Sequence, residues 1–266
     1  MYLAAALQMT ALADKEENLR KALALVDQAA DSGAKFAALP ENVFYMGPEA
    51  DKSKVAESLD GPSLARFSAK AKERGIHLLA GSIPEVGGPG GRFYNTSVLF
   101  GPGGERLAVY RKIHLFDVDI PDGAVYRESD SIAPGAELVV AETPLGGIGL
   151  SVCYDLRFPE LYRGLSKKGA DLLCVPAAFT LHTGKDHWEV LLRARAIENQ
   201  CYVVAPAQYG RHTEKRVTWG HAMIVDPWGT VIGQASDGEG MALAPVDASV
   251  LARVRREIPC LGHRRL

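Results

Sequence analysis

An α/β fold, with mixed sheets covered by helices, is predicted by three observations. Apolar runs of strand length alternate with amphipathic helical stretches along most of the chain, as in βαβ units. Turn signals such as Gly101-Pro102-Gly103-Gly104 and Pro227-Trp228-Gly229 fall between them and add antiparallel pairing. The 266 residues are 47% hydrophobic and 23% charged, enough for a sizeable core. No linker or low-complexity tract divides the chain, so 1–266 reads as one domain. Composition does not say how many sheets there are.

Taken in order, residues 2–9 form the first strand. Residues 14–31 place Leu19, Ala22, Leu23, Val26 and Ala30 on one helical face, with Gly33 as the stop. A short strand over 35–39 leads to Pro40-Glu41. Ser63 can cap a helix carrying Leu64, Phe67 and Ala71, closed by Gly75. Residues 76–83 read as one strand, and 93–100 and 106–111 as a hairpin. In the second half 147–153, 171–175, 202–207, 222–225, 231–235 and 241–246 read as strands. Helices are predicted over 159–168 and 187–199, the latter with Trp188, Leu191, Leu192 and Ala196 on one face, and Asp247 can cap a last one.

The bulk properties exclude several classes. The formal net charge is −2 with both signs interspersed, which is no electrostatic footprint for nucleic acid. Arg253-Val254-Arg255-Arg256 and His263-Arg264-Arg265 read as a solvated terminal face. The opening apolar run is broken by Gln8 and Thr10 and lacks a basic region ahead of it, unlike a signal peptide. No run reaches membrane-spanning length. A soluble, cytoplasmic protein is expected. Cys153, Cys174, Cys201 and Cys260 show no CxxC spacing and read as free thiols in a reducing compartment. Cys174 and Cys201 lie in buried-strand patterns and read as small core residues.

Three stretches carry chemistry. Ala38-Leu39-Pro40-Glu41-Asn42 places a carboxylate after an apolar run, Tyr110-Arg111-Lys112 an ammonium, and Gly149-Leu150-Ser151-Val152-Cys153 a thiol. A thiol at a strand's carboxyl end, with a helix following, sits where α/β folds bind ligands, and nearby cations or a helix amino terminus lower such a thiol's pKa. Cys153 is the candidate nucleophile, Glu41 the base that takes its proton and later activates water. Lys112 and the backbone N–H of Tyr154 would hold the tetrahedral oxyanion.

These motifs, in this order, strongly resemble the nitrilase superfamily of carbon–nitrogen hydrolases over essentially the whole chain. The resemblance implies a Glu41–Lys112–Cys153 triad, a four-layer αββα sandwich, and a homodimer or higher homo-oligomer. It also implies a supporting second glutamate between lysine and cysteine. Tyr126-Arg127-Glu128-Ser129 matches that place and makes Glu128 the choice. Asp117, Asp119, Asp122 and Asp130 in the same segment read by themselves as solvated loop charges. The runs from Lys112 to Pro121 and from Cys153 to Leu161 resemble the Nit-type branch, which includes omega-amidase and deaminated glutathione amidase. The segments 187–198 and 207–212 favour the latter. The implied reaction is hydrolysis of a small amide, deaminated glutathione, to 2-oxoglutarate and Cys-Gly through a thioester, with no cofactor. A substrate with carboxylates at both ends favours cationic clamps, for which Arg157, Arg195 and Arg211 are candidates. Omega-amidase activity on 2-oxoglutaramate or 2-oxosuccinamate, or hydrolysis of N-carbamoyl amino acids, are the alternatives. A papain-like pairing of Cys153 with His114, His187 or His221 lacks that class's local signature. His221 reads as a hydrogen-bonded structural histidine. The scattered histidines argue against a metal, and the three groups together against a non-catalytic binding protein.

Overall fold

The computed structural model describes residues 1–119 and 125–265. The first half runs β1 (Tyr2–Met9), α1 (Lys15–Asp31), β2 (Ala34–Ala38), α2 (Lys52–Val55), α3 (Pro62–Arg74), β3 (His77–Leu79), β4 (Ile83–Glu85), β5 (Tyr94–Phe100) and β6 (Arg106–Arg111). A two-stranded ribbon, β7 (Asp117–Asp119) with β8 (Val125–Arg127), follows. The second half runs β9 (Val140–Thr143), β10 (Gly146–Leu150), α4 (Pro159–Lys167), β11 (Leu172–Cys174), α5 (Leu181–Asn199), β12 (Tyr202–Ala205), β13 (Ala207–Arg211), β14 (Val217–Trp219), β15 (Met223–Val225), β16 (Val231–Gln234), β17 (Gly240–Val246) and α6 (Ala248–Glu257).

Among the described residues these strands make a nine-stranded and a six-stranded sheet besides the ribbon. The larger has parallel β13, β1, β2 and β3 at its centre, the smaller parallel β10, β11 and β12. The antiparallel strands lie outside them. Side-chain alternation along β1 explains the layering. Ala5, Leu7 and Met9 pack with Leu19 and Val26 of α1 and Phe67 of α3. Ala4 and Ala6 face the other way and pack with Ile148, Leu150 and Val204 of the smaller sheet. That sheet in turn packs on Leu161 and Leu165 of α4 and Trp188 and Leu192 of α5. The result is helices, sheet, sheet, helices, the expected αββα sandwich.

Several boundaries differ from the sequence reading. Residues 76–83 are two strands, because Gly81 turns the chain at φ 60°. A Cβ there would lie 2.1 Å from the carbonyl oxygen of Pro40, so this glycine lets the chain pass against the Pro40-Glu41 loop. Gly61, not Ser63, is the N-cap of α3, with Pro62 at the first helical position. The Ser63 amide and hydroxyl both donate to Glu57, at 2.9 and 2.8 Å. Helix α5 starts at Leu181 rather than 187, capped by Thr180. Residues 202–207 break at Pro206, where the chain leaves the smaller sheet (β12) for the larger (β13). The Asp237-Gly238 turn also changes sheets, carrying β16 of the smaller to β17 of the larger. The strand predicted to 153 ends at Leu150. Asp122 and Pro121 lie outside the described residues.

Candidate active site

The loops after β2, β6 and β10 converge where the two sheets meet. Glu41 lies three residues beyond β2, Lys112 directly after β6, and Cys153 three residues beyond β10. All three are buried, at 3%, 1% and 8% exposure. The Lys112 ammonium donates to Glu41 Oε1 at 3.0 Å and to both oxygens of Glu128, at 3.1 and 2.8 Å. Asn95, from β5, also bridges the two carboxylates, its Nδ2 donating to Glu41 Oε1 at 2.9 Å and Glu128 Oε1 at 3.1 Å. Each carboxylate also accepts a backbone amide: Glu41 Oε2 that of Ala178 at 3.0 Å, Glu128 Oε2 that of Phe116 at 2.7 Å. Gln208 donates to the Glu41 carbonyl at 2.9 Å and so pins its backbone.

Cys153 has φ 49° and opens a short 3₁₀ turn over Cys153–Arg157. A non-glycine residue in this region carries strain of order 1–3 kcal/mol, so neighbours must hold it. Its own amide donates to the Pro176 carbonyl at 2.9 Å. The buried Asp155 carboxylate accepts the Val152 amide at 2.8 Å, the Tyr110 hydroxyl at 2.7 Å, and the His114 amide at 3.0 Å. One carboxylate thus ties the turn of the nucleophile to the strand and loop that carry the lysine. Among the described residues the Tyr154 N–H has no protein acceptor, as befits the first turn of a helical segment. It is available to a developing oxyanion.

Electrostatics correct one expectation. Burial and the adjacent Glu41 carboxylate push the Cys153 thiol well above its ordinary pKa, against the opposing pull of Lys112. The resting nucleophile is therefore a thiol, and the lowered pKa anticipated for it does not occur. Burial alone would lower the Lys112 pKa, but Glu128, Glu41 and Cys153 raise it, so the lysine stays an ammonium. Burial would raise the Glu128 carboxyl, yet the Lys112 charge and the hydrogen bonds from Lys112, Phe116 and Asn95 hold it below the usual range.

The remaining candidates separate. Arg157 lies with its guanidinium 5.8 Å from the Tyr154 ring centre and 5.2 Å from that of Phe179. It lines a small recess with Phe116, Tyr154, Ala178, Thr180 and Thr183. Arg195 is buried and donates to the Leu156 carbonyl at 3.1 and 2.7 Å and to Glu198 at 2.9 Å. It steadies the 3₁₀ turn from behind, away from the recess. Arg211 is exposed and donates to the Glu214 carbonyl at 2.8 Å. The structure brings neither of these two to the cleft. His114 has its Nδ1 2.8 Å from Asp155 and stacks on Phe158. His187 lies against Arg157, and His221 against the Trp219 carbonyl and ring. None of the three takes the place beside the thiol that Glu41 holds, so the papain-like pairing has no geometric basis. Sequence reasoning missed Asn95, and also Lys52 and Arg216, which line the main cleft with Glu41, Lys112 and Glu128. These residues follow no recognisable local motif. Cys174 and Cys201 are buried and free, the Cys201 thiol donating to the Ala170 carbonyl at 3.1 Å. Both are packed core residues, as read. No helix of the described residues is long and apolar enough to cross a membrane.

Comparison with known proteins agrees with this geometry. The chain is 49% identical over 266 residues to a deaminated glutathione amidase of Synechocystis, covering 99% of this chain and 98% of that one. It is 44% identical over 253 residues to the omega-amidase NIT2 of Xenopus tropicalis, covering 94% and 90%. The crystal structure of the C. elegans NitFhit protein superposes with a TM-score of 0.92 at 38% identity, covering 99% of this chain. The present chain spans 65% of that longer protein. The carbon-nitrogen hydrolase family model matches residues 3–256. With a thiol, a carboxylate and an ammonium converging at the meeting of its two sheets, the chain belongs to the carbon–nitrogen hydrolase family and is a hydrolase of carbon–nitrogen bonds other than peptide bonds.

Proposed function

We propose that residues 1–266 act as one amidase domain that cleaves deaminated glutathione to 2-oxoglutarate and Cys-Gly through a thioester on Cys153. The observation that carries the mechanism is the buried Glu41–Lys112–Glu128 chain of charges beside the Cys153 thiol. Cys153 Sγ attacks the amide carbon as its proton passes to Glu41. The carbonyl oxygen gathers negative charge between the Lys112 ammonium and the Tyr154 N–H. Collapse breaks the carbon–nitrogen bond, and Glu41 returns the proton to the departing amine. Glu41 then removes a proton from water, the hydroxide adds to the thioester carbon, and the thiol leaves with the proton restored. Glu128 and Asn95 keep Lys112 and Glu41 in register. Glu128 also leaves Lys112 a carboxylate partner when Glu41 takes up the thiol proton.

The choice of substrate rests on the resemblance of 187–198 and 207–212 and on relatives such as the Synechocystis deaminated glutathione amidase. Arg157 is the residue we assign to the keto-acid carboxylate. Its guanidinium is held between aromatic rings with no carboxylate partner among the described residues. The NIT2 relative favours a second reading, omega-amidase activity on 2-oxoglutaramate, with the same chemistry and ammonia as the leaving group. The assay that decides is a screen of purified enzyme against deaminated glutathione, 2-oxoglutaramate, an N-carbamoyl amino acid and a simple nitrile. A higher kcat/KM for deaminated glutathione supports the first reading, and a higher one for 2-oxoglutaramate replaces it. Free thiols fit a cytoplasmic enzyme. The exposed Val190 and Ile197 of α5, with Gly229 close to Ile197 and the exposed Trp228 next to it in the chain, fit a homodimer.

A further inference from the structure

We propose that Lys52 and Arg216 form a second carboxylate site, at the far end of the cleft from Arg157, that holds the terminal carboxylate of the leaving group. The inference rests on the substrate reading above. Two recesses adjoin the residues around the thiol. Glu41 and Lys112 line one, Tyr154 and Ala178 the other, and Phe116 lines both. Cys153 lies against Glu41 of the one and Ala178 of the other. The Arg157 recess encloses about 20 Å³ and the opposite one about 140 Å³. The first has room for about one water-sized group, so of the two only the second can take a dipeptide.

The larger recess carries the charge such a dipeptide requires. Three cations line it besides Lys112: Lys52, Arg127 and Arg216. Arg127 is matched by Asp119 at 2.7 Å. Lys52 and Arg216 share one carboxylate, that of Glu49, at 2.5 and 3.8 Å. Both cations are more enclosed than their partner, with side chains 13% and 26% exposed against 60% for Glu49. Glu41 and Glu128, with Lys112 between them, carry one net negative charge, and it lies beside the thiol. Lys52, Arg216 and Glu49, taken by themselves, therefore hold one positive charge in excess. Glu49 also demonstrates the geometry, because a carboxylate already sits between the two cations. A substrate carboxylate entering from the thiol side would meet the same pair from the inner face, making charge-assisted hydrogen bonds. An ammonia leaving group makes no use of this site, so the pair discriminates between the two classes of amide by the part of the substrate beyond the scissile bond.

The test compares deaminated glutathione, its C-terminal carboxamide and 2-oxoglutaramate on wild type, Lys52→Met and Arg216→Met. In wild type the carboxamide is expected to lose about 10- to 100-fold in kcat/KM relative to the acid, the worth of hydrogen bonds to a charged group. In either variant the acid should fall toward the carboxamide, and the ratio of deaminated glutathione to 2-oxoglutaramate kcat/KM should fall by a similar factor. The carboxamide arm reads the site in unaltered protein, so a variant that fails to fold leaves the proposal falsifiable. If wild type hydrolyses acid and carboxamide equally, the site is overturned and the substrate reading stands. If the variants lose deaminated glutathione and 2-oxoglutaramate in equal measure, the pair binds the keto-acid end instead and the proposal is overturned. If wild type does not hydrolyse deaminated glutathione at all, the substrate reading falls and takes the site with it.

Discussion

Replacing Glu41 by glutamine should make Cys153 easier to ionise and the enzyme far slower. The carboxylate is buried beside the thiol and raises its pKa. Neutralising it leaves Lys112 paired with Glu128 alone, so the local charge becomes less negative by one. A neighbouring charge of this kind is worth about 1–3 pKa units, and the thiol pKa should fall by that much. Turnover should nonetheless fall by roughly 10²- to 10⁴-fold, the range for a positioned general base. Glutamine also has a single acceptor oxygen where the carboxylate has two. With that oxygen facing Lys112 and Asn95, the side-chain amide would confront the Ala178 N–H, which now donates to Glu41 Oε2 at 3.0 Å. The unmatched donor costs about 1–3 kcal/mol of stability, measurable by urea unfolding. The assay pairs kcat/KM with the pH dependence of iodoacetamide alkylation at Cys153, followed by mass spectrometry. Turnover within tenfold of wild type refutes the base. An alkylation profile that is unmoved, or moved to higher pH, refutes the proximity of carboxylate and thiol.

Three further outcomes are expected. Lys112→Met should cost about 10²-fold or more in kcat, one oxyanion donor's worth. Glu41 and Glu128, whose oxygens lie at most about 6 Å apart through Asn95, would then repel by about 3 kcal/mol at an effective dielectric near 20. One of them should take up a proton near neutrality, visible as a carboxyl band in infrared difference spectra; near-wild-type turnover or two ionised carboxylates at pH 6 would count against the arrangement. Cys153→Ala should abolish turnover and Cys153→Ser nearly so, without loss of the circular dichroism spectrum; full activity in the alanine variant would end the covalent mechanism. Glu128→Gln should destabilise the fold by up to about 5 kcal/mol, the range for removing one partner of a buried pair. Because Glu128 is held below its ordinary value, its contribution is complete above the unfolded carboxyl pKa of about 4.3. It is lost as pH falls through the lower folded value. The stability deficit of the variant should shrink in acid, and a deficit constant from pH 7 to pH 3 would contradict this.

The residues most legible in the sequence were those on short loops at strand ends. Glu41, Lys112 and Cys153 each follow a strand by one to three residues, and the spacing survives because β2 and β10 are largely buried and β6 is held in register by β5. Asn95 was not legible. It sits inside β5 on the face turned to the cleft, and nothing in Tyr94-Asn95-Thr96-Ser97 sets it apart from a polar strand position. Lys52 and Arg216 come from a helix of one turn and a turn between β13 and β14, segments that meet only after folding. The first turns of α5 were missed because Leu181, His182, Lys185 and Asp186 present exposed or half-buried side chains and hence no apolar stripe. Arg195 and Arg211 were misjudged for the opposite reason. An arginine near a site motif can be committed to a backbone carbonyl, as Arg195 is to Leu156, and sequence carries no mark of that. The state of the thiol was also illegible, since its burial and the approach of Glu41 are products of tertiary packing.

The central claim is a thioester on Cys153, and rapid quench with intact-protein and peptide mass spectrometry tests it most directly. Deaminated glutathione, or whichever amide the screen selects, is mixed with wild type and quenched in acid within the first turnover. A single acyl group, on the peptide containing Cys153 and absent from Cys153→Ala, is the predicted result. Complete turnover with no acylated protein at any quench time, or an acyl group on another residue, would contradict the account.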